Sequence, residues 1–91
     1  MQTLDQQTVP QRSTRVVAQQ AAGQWVLLDV KTGQYYALDA MAGRIWQLCD
    51  GTRTVQQIAG VLIGEFDAAD QSVQDDVAGF VSELVGESLL V

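Results

Sequence analysis

Few residues of this chain have chemistry beyond packing: one thiol, Cys49; two adjacent carboxylates, Asp75 and Asp76; and two adjacent tyrosines, Tyr35 and Tyr36. Paired carboxylates can hold a metal, and a thiol can attack a carbonyl if a base activates it. The chain has no histidine, so histidine triads, histidine-ligated metals and imidazole acid–base catalysis are excluded. Cys49 alone makes neither a thiolate metal site nor an internal disulfide, and its place in a strongly apolar helix marks it as a buried, inert thiol. Consecutive helix residues point about 100° apart, so Asp75 and Asp76 suit the positive end of a helix dipole better than a shared ion. There is no P-loop, and Gly60 to Gly64 is a packing-type spacing within a helix. No catalytic residue, metal site or cofactor site is expected.

The whole composition points away from other partners too. Ninety-one residues suit one domain that buries a little over ~60% of its unfolded surface, enough to fold without metal or disulfide. Eleven acidic against five basic side chains give a net charge of −6 and a pI near 4.1, which repels phosphate backbones, so no nucleic acid is expected. No apolar run approaches the ~20 residues that span a bilayer, so no membrane association is expected. Residues 1–12 lack the basic start and apolar core of a secretory signal, and a cytoplasmic address is the expectation.

The elements that could present Tyr35 and Tyr36 converge on the stretch from Asp29 to Asp39. Lys31-Thr32-Gly33 reads as a tight turn whose glycine takes a positive φ. A strand over residues 34–38 follows. Its Tyr35, Tyr36, Ala37 and Leu38 are apolar or aromatic on both faces, where a half-exposed strand would alternate, which predicts a cover on both. Asp39 then caps a helix beginning at Ala40. Upstream, residues 1–12 are polar and aperiodic and read as a flexible tail preceding one domain over 13–91. Residues 13–18, with Val16 and Val17, form a first strand, and residues 19–23 turn. Residues 25–30 form the second strand, with Val26, Leu28 and Val30 on one face and Trp25 and Leu27 on the other. A three-stranded meander leaves the third strand at an edge.

Three helices follow. Residues 40–49 carry Met41, Ile45 and Leu48 on one stripe and Ala42, Trp46 and Cys49 on its neighbour, so this helix is central. Asp50-Gly51 closes it. Thr54 and Gln57 form a capping box for a second helix, striped by Val55, Ile58, Ala59, Leu62 and Phe66 and ending near Gly64. Residues 65–71 are a loop, and Ser72 caps a third helix with Asp75 and Asp76 in its first turn. Val73, Val77, Phe80, Val81, Leu84 and Val85 give that helix a wide apolar stripe. Gly79 within it is either tolerated drift or a place of close backbone approach. Leu89-Leu90-Val91 either folds back on the core or extends the helix.

The fold class is therefore α+β and winged-helix-like: a three-stranded antiparallel meander, then three helices. A sheet edge beside a helix offers a groove to which an extended peptide can add as a strand. The expected peptide-binding residues are Val30, Gln34, Tyr35, Tyr36, Ala37 and Leu38 around the strand and Val77, Phe80, Val81 and Leu84 on the third helix. The sequence leaves open which tyrosine has its N–H toward the open edge.

The run from Leu28 to Asp39, with Gly33-Gln34-Tyr35-Tyr36-Ala37-Leu38 at its heart, the helix segment Ile45-Trp46-Gln47-Leu48, then Asp50-Gly51-Thr52-Arg53-Thr54-Val55 and Phe80-Val81-Ser82-Glu83-Leu84, together resemble a PqqD-like precursor-peptide recognition element. The resemblance covers residues 16–90. It implies a non-enzymatic adaptor that binds the leader of a ribosomally synthesised precursor peptide and delivers it to modifying enzymes. At this length the chain is similar to the stand-alone leader-binding protein of lasso-peptide pathways, which implies a leader-cleaving cysteine protease and an ATP-dependent macrolactam synthetase as partners. Asp39 stands where the family often has asparagine and caps equally well. Family members commonly carry basic residues on the third helix; here it carries Asp75, Asp76, Glu83 and Glu87 with no lysine or arginine. A leader with lysine or arginine, or one held by apolar anchors, fits that helix.

Two other classes share these elements. A winged-helix DNA-binding regulator needs a basic face, which Arg44 and Arg53 do not make. A structural subunit could instead pair its edge strand with that of a second copy.

Overall fold

The computed structural model describes residues 7–66 and 70–91. Its elements are β1 (Val16–Ala21), β2 (Gln24–Asp29), β3 (Tyr35–Leu38), α1 (Ala40–Leu48), α2 (Val55–Phe66) and α3 (Asp70–Gly86). The strands form one antiparallel sheet in the order β1-β2-β3, so the expected α+β meander followed by three helices is what the chain adopts.

The first hairpin is tighter than the sequence suggests. The ladder runs from Val16↔Asp29 to Ala21↔Gln24, leaving a two-residue turn in which Ala22 and Gly23 both have positive φ, 52° and 79°. That is the primed turn whose twist matches a hairpin. Residues 19–21, taken as turn from their small polar composition, are strand because β2 offers them a full ladder. The second hairpin matches expectation: Gly33, at φ 78°, donates its N–H to the Asp29 carbonyl at 2.7 Å, and Asp29 N–H donates to the Gln34 carbonyl at 3.0 Å.

Pairing assigns the faces. Trp25↔Leu38 and Leu27↔Tyr36 put these four on the side facing the helices, while Val26↔Ala37 and Leu28↔Tyr35 share the opposite side. Tyr35 is 71% exposed, so the outer face of β3 is open, contrary to the cover expected on both faces; Tyr36 and Leu38 alone turn inward. Val30 falls beyond the end of β2 and is exposed.

Asp39 caps α1 as expected, its Oδ1 accepting from Ala42 N–H at 2.8 Å. Thr54 and Gln57 exchange both bonds of the capping box. α2 continues through Phe66, past Gly64. α3 already includes Asp70, so Ser72 lies within the helix and Asp75 and Asp76 lie beyond its first turn. Residues 67–69 of the expected 65–71 loop, and residues 1–6 of the tail, are outside the described residues.

The C-terminus takes the first of the two expected alternatives, folding back on the core after α3 ends at Gly86. Leu89 N–H bonds the Leu84 carbonyl at 2.9 Å and Ser88 N–H bonds the Val85 carbonyl at 3.0 Å, with Ser88 at φ 61°. This is a Schellman cap in which serine occupies the left-handed position usually held by glycine. It folds Leu89 and Leu90 back into the core, where they are 0% and 1% exposed.

The core is one cluster: Leu27 and Leu38 from the sheet, Ile45, Trp46 and Leu48 from α1, Ile58 and Leu62 from α2, Val73, Val77, Val81 and Leu84 from α3. Residues 7–12, which composition assigns to a tail, are docked on it. Pro10 is buried, Gln11 exchanges both backbone bonds with Val91 (3.1 and 2.8 Å), and Arg12 N–H bonds the Cys49 carbonyl at 3.1 Å. The Arg12 guanidinium reaches the Trp46 and Gln47 carbonyls at 3.2 and 2.9 Å, a cation at the negative end of α1. Nothing periodic announces this segment because its bonds are made by the main chain.

Candidate functional site

The hydrogen-bond phase of β3 follows from the hairpin. In an antiparallel pair, residues alternate between bonding their partner and pointing away from it. Asp29 bonds Gln34, so in the register Leu28↔Tyr35, Leu27↔Tyr36, Val26↔Ala37, Trp25↔Leu38 it is Tyr36 and Leu38 that bond β2. Tyr35 and Ala37 direct their N–H and C=O groups to the open edge. The choice left open between the tyrosines is thereby made: Tyr35 carries the free edge donor, and Tyr36 carries the inward side chain.

Near that edge lie the residue that follows α3, Glu87, and the cavity between α1 and α3. At one end the Tyr36 hydroxyl, which donates to Gln34 Oε1 at 2.8 Å, lies 3.5 Å from Glu87 Oε2. Partial burial and then the Glu87 charge raise the Tyr36 phenol above its ordinary pKa, so it stays a neutral donor. At the other end a cavity of about 200 Å³ opens between the start of α1 and α3, lined by Asp39, Met41, Ala42, Ile45, Asp76 and Phe80. The Tyr36–Glu87 contact and the cavity between α1 and α3 thus lie at the two ends of the stretch from β3 to Asp39.

Of the expected groove wall on α3, Val77, Val81 and Leu84 are 0%, 0% and 3% exposed. They pack in the core among α2 and its neighbours, so their side chains do not line an open surface. A helix turns its most apolar stripe to the core, and a groove is left with the margin of that stripe. Phe80, half-buried, is the margin. Gln34, Tyr35 and Ala37 are exposed at the edge, Leu38 is buried beneath it, and Val30 sits exposed at the start of the hairpin, its N–H bonding the Arg15 carbonyl at 3.0 Å.

Met41, Ala42 and Ile45, core residues by their periodicity, also line the cavity; the signal in the sequence is the breadth of apolar surface on α1, too wide for one buried face. Gly43 was missed as well. A Cβ there would collide with Trp25 Cδ1 and lie 3.2 Å from Trp25 Cγ, so this glycine lets α1 close on the sheet. Gly79 has nothing within 4 Å of a built Cβ, so no close approach explains it.

A second cavity, of about 450 Å³, lies at the opposite edge of the sheet, lined by Arg12, Ser13, Val16, Ala18, Trp25, Trp46 and Gln47. Among the described residues no three ligating side chains cluster as a metal site would require, and no helix is long and apolar enough to cross a membrane. Burial raises the Cys49 thiol to about 12, which removes it as a nucleophile at neutral pH.

Comparison with known proteins bears on this groove. The family model described as Coenzyme PQQ synthesis protein D (PqqD) matches residues 24–90. The PqqA binding protein of Xanthomonas oryzae pv. oryzae (strain PXO99A) is 35% identical over 88 residues, 97% of this chain and 94% of that one. Among solved structures, TbiB1 in complex with the TbiA(beta) leader peptide is 30% identical with a TM-score of 0.79, covering 88% of this chain and 93% of that one. The solution structure of the PqqD truncation of Methylobacterium extorquens PqqCD, described as a stand-alone RiPP recognition element, is 26% identical with a TM-score of 0.79, covering 96% and 93%.

Proposed function

The chain belongs to the PqqD family, and from that premise we propose that it binds the leader of a ribosomally synthesised precursor peptide and presents the remainder to modifying enzymes, with no bond chemistry of its own. One observation carries the mechanism: Tyr35 and Ala37 hold unpaired edge groups beside an accessible helix face. A leader adding there satisfies those groups in the manner of an added strand and seats alternate side chains toward Phe80 and the cavity floor. Relatives support the reading: one is named for binding PqqA, another was solved with a leader peptide.

Holding the leader raises the effective concentration of the core peptide at an enzyme's active site. In a lasso pathway the enzymes are a leader-cleaving cysteine protease and an ATP-dependent macrolactam synthetase, acting in the cytoplasm. The absence of histidine and the insulated Cys49 thiol favour a silent adaptor over an enzyme. The acidic balance, −6 overall, opposes the winged-helix DNA-binding alternative.

The test is to search the neighbouring reading frames for a short precursor and a modifying enzyme, titrate the precursor into this chain by calorimetry, and measure the enzyme's rate with and without the chain. Leader-dependent binding and a rate increase are expected. Turnover of the precursor by this chain alone, or a sequence-specific complex with duplex DNA at physiological salt, refutes the reading.

A further inference from the structure

The α3 side of the groove is uniformly acidic. Asp76, Phe80, Glu83 and Glu87 succeed one another at spacings of four, three and four residues, which places them on one helical stripe about 60° wide. Asp76 lines the cavity beside Phe80 and Glu87 meets Tyr36 of β3, so the two ends of the stripe stand at the cavity beside α1 and at the third strand. Asp75 is rotated off it by about 100° and accepts from Gln71 instead.

Among the described residues no basic side chain pairs with these carboxylates. The chain has five basic side chains, all described. Arg12 is spent on the α1 carbonyls, and Arg15, Arg44 and Arg53 pair with Asp29, Glu65 and Asp50. Lys31 is exposed on the β2–β3 hairpin. Glu83 and Glu87 moreover lie at the C-terminal end of α3, where the macrodipole disfavours anions and the last turn holds no basic residue. An acidic or neutral strand entering this groove leaves that repulsion in place, whereas a cationic one relieves it.

Building on the leader-binding reading above, we propose that this chain selects leaders bearing lysine or arginine at alternate positions of the added strand, with an apolar residue seated at Phe80. The stripe spans twelve residues, Asp76 to Glu87, about 16 Å; an extended chain covers that in about five residues, so two or three same-face cations fit it.

The test is selection from a displayed library of random 15-residue peptides by three proteins: the parent, a triple variant Asp76→Asn, Glu83→Gln, Glu87→Gln, and the edge-blocked variant Tyr35→Pro. Circular dichroism confirms that each is folded, and Ala37→Pro replaces Tyr35→Pro if the latter unfolds. The expected result is enrichment of lysine and arginine two residues apart in parent-selected peptides and loss of that enrichment with the triple variant. One selected peptide should bind the triple variant ~10-fold more weakly by fluorescence polarisation at low salt, with the gap shrinking as salt rises. Asp75→Asn should select as the parent does. If parent-selected peptides show no basic enrichment yet fail to bind the edge-blocked variant, the groove stands and the charge selection is refuted. If the edge-blocked variant captures the same peptides, or the parent captures none, the groove itself is refuted and this proposal with it.

Discussion

Arg15 and Asp29 lock the start of β1 to the turn that precedes β3. Arg15 Nη2 lies 2.6 Å from Asp29 Oδ2 and Nε reaches both carboxylate oxygens, while Asp29 Oδ1 accepts from the N–H of Lys31 at 2.9 Å. The carboxylate is 1% exposed and fully engaged, as a buried charge must be.

This pair makes an acid-sensitive hinge of the hairpin. The Arg15 hydrogen bonds, aided by the Lys31 and Thr32 amides, hold Asp29 down at about 2 against its burial. A depressed carboxylate stabilises the fold above its ordinary value near 4 and loses that contribution as pH falls toward 2. Melting temperature followed from pH 6 to 2 should therefore drop more steeply below pH 4 in the parent than in Asp29→Asn, which is less stable at pH 6 and has nothing there to titrate. Parallel curves would refute it.

Proline distinguishes the two tyrosines. Tyr35→Pro removes an N–H that faces the open edge and should fold normally while weakening leader binding by about 1 kcal/mol or more, from one lost hydrogen bond plus crowding. Tyr36→Pro removes a bond to β2 and should destabilise the sheet. Leader affinity and chemical denaturation, measured on both, check the phase of the strand.

Phe80 and Leu84 should separate binding from stability. Phe80→Ala takes an anchor from the groove margin and is expected to cost ~1–3 kcal/mol of leader affinity with the fold retained. Leu84→Ala empties a core site and should cost ~2–5 kcal/mol of stability. If Phe80→Ala binds as the parent does, the cavity beside α1 is not an anchor pocket.

Two of the helical glycines, Gly43 and Gly79, should respond in opposite directions. Gly43→Ala drives a methyl into Trp25 and should destabilise by ~1–3 kcal/mol. Gly79→Ala meets open space and should stabilise by up to ~1 kcal/mol. Urea unfolding of both variants measures the difference.

Element order, Asp39 as cap, the Thr54–Gln57 box and the glycine of the second hairpin were legible because each is a local signal with a local cause. The groove was legible only as an edge beside a helix. Val77, Val81 and Leu84 could not be told from Phe80, since a periodic stripe says which residues leave water but not which margin a ligand touches. Asp29 reads as a turn residue until Arg15, fourteen positions away, is seen to neutralise it. Ser88 in the left-handed position gave no sign because its side chain is not what that backbone selects for; the fold-back of Leu89 and Leu90 imposes it.

The clip between residues 10–12 and 89–91 makes the chain nearly a ring. Gln11 and Val91 exchange both main-chain bonds, so a short linker across them would join segments already side by side, and the chain could be reopened at the exposed Ala22–Gly23 turn. Such a circular permutant would keep the β2–β3 ladder, the Tyr36–Glu87 contact and the core built from the sheet and the three helices; it would give up the connection of the first hairpin and, if the linker begins at Gln11, the bonds of the Thr8 and Pro10 carbonyls to Val55 and Gly51. The open edge of β3 thus depends on the β2–β3 ladder and the core and not on the connection of the first hairpin.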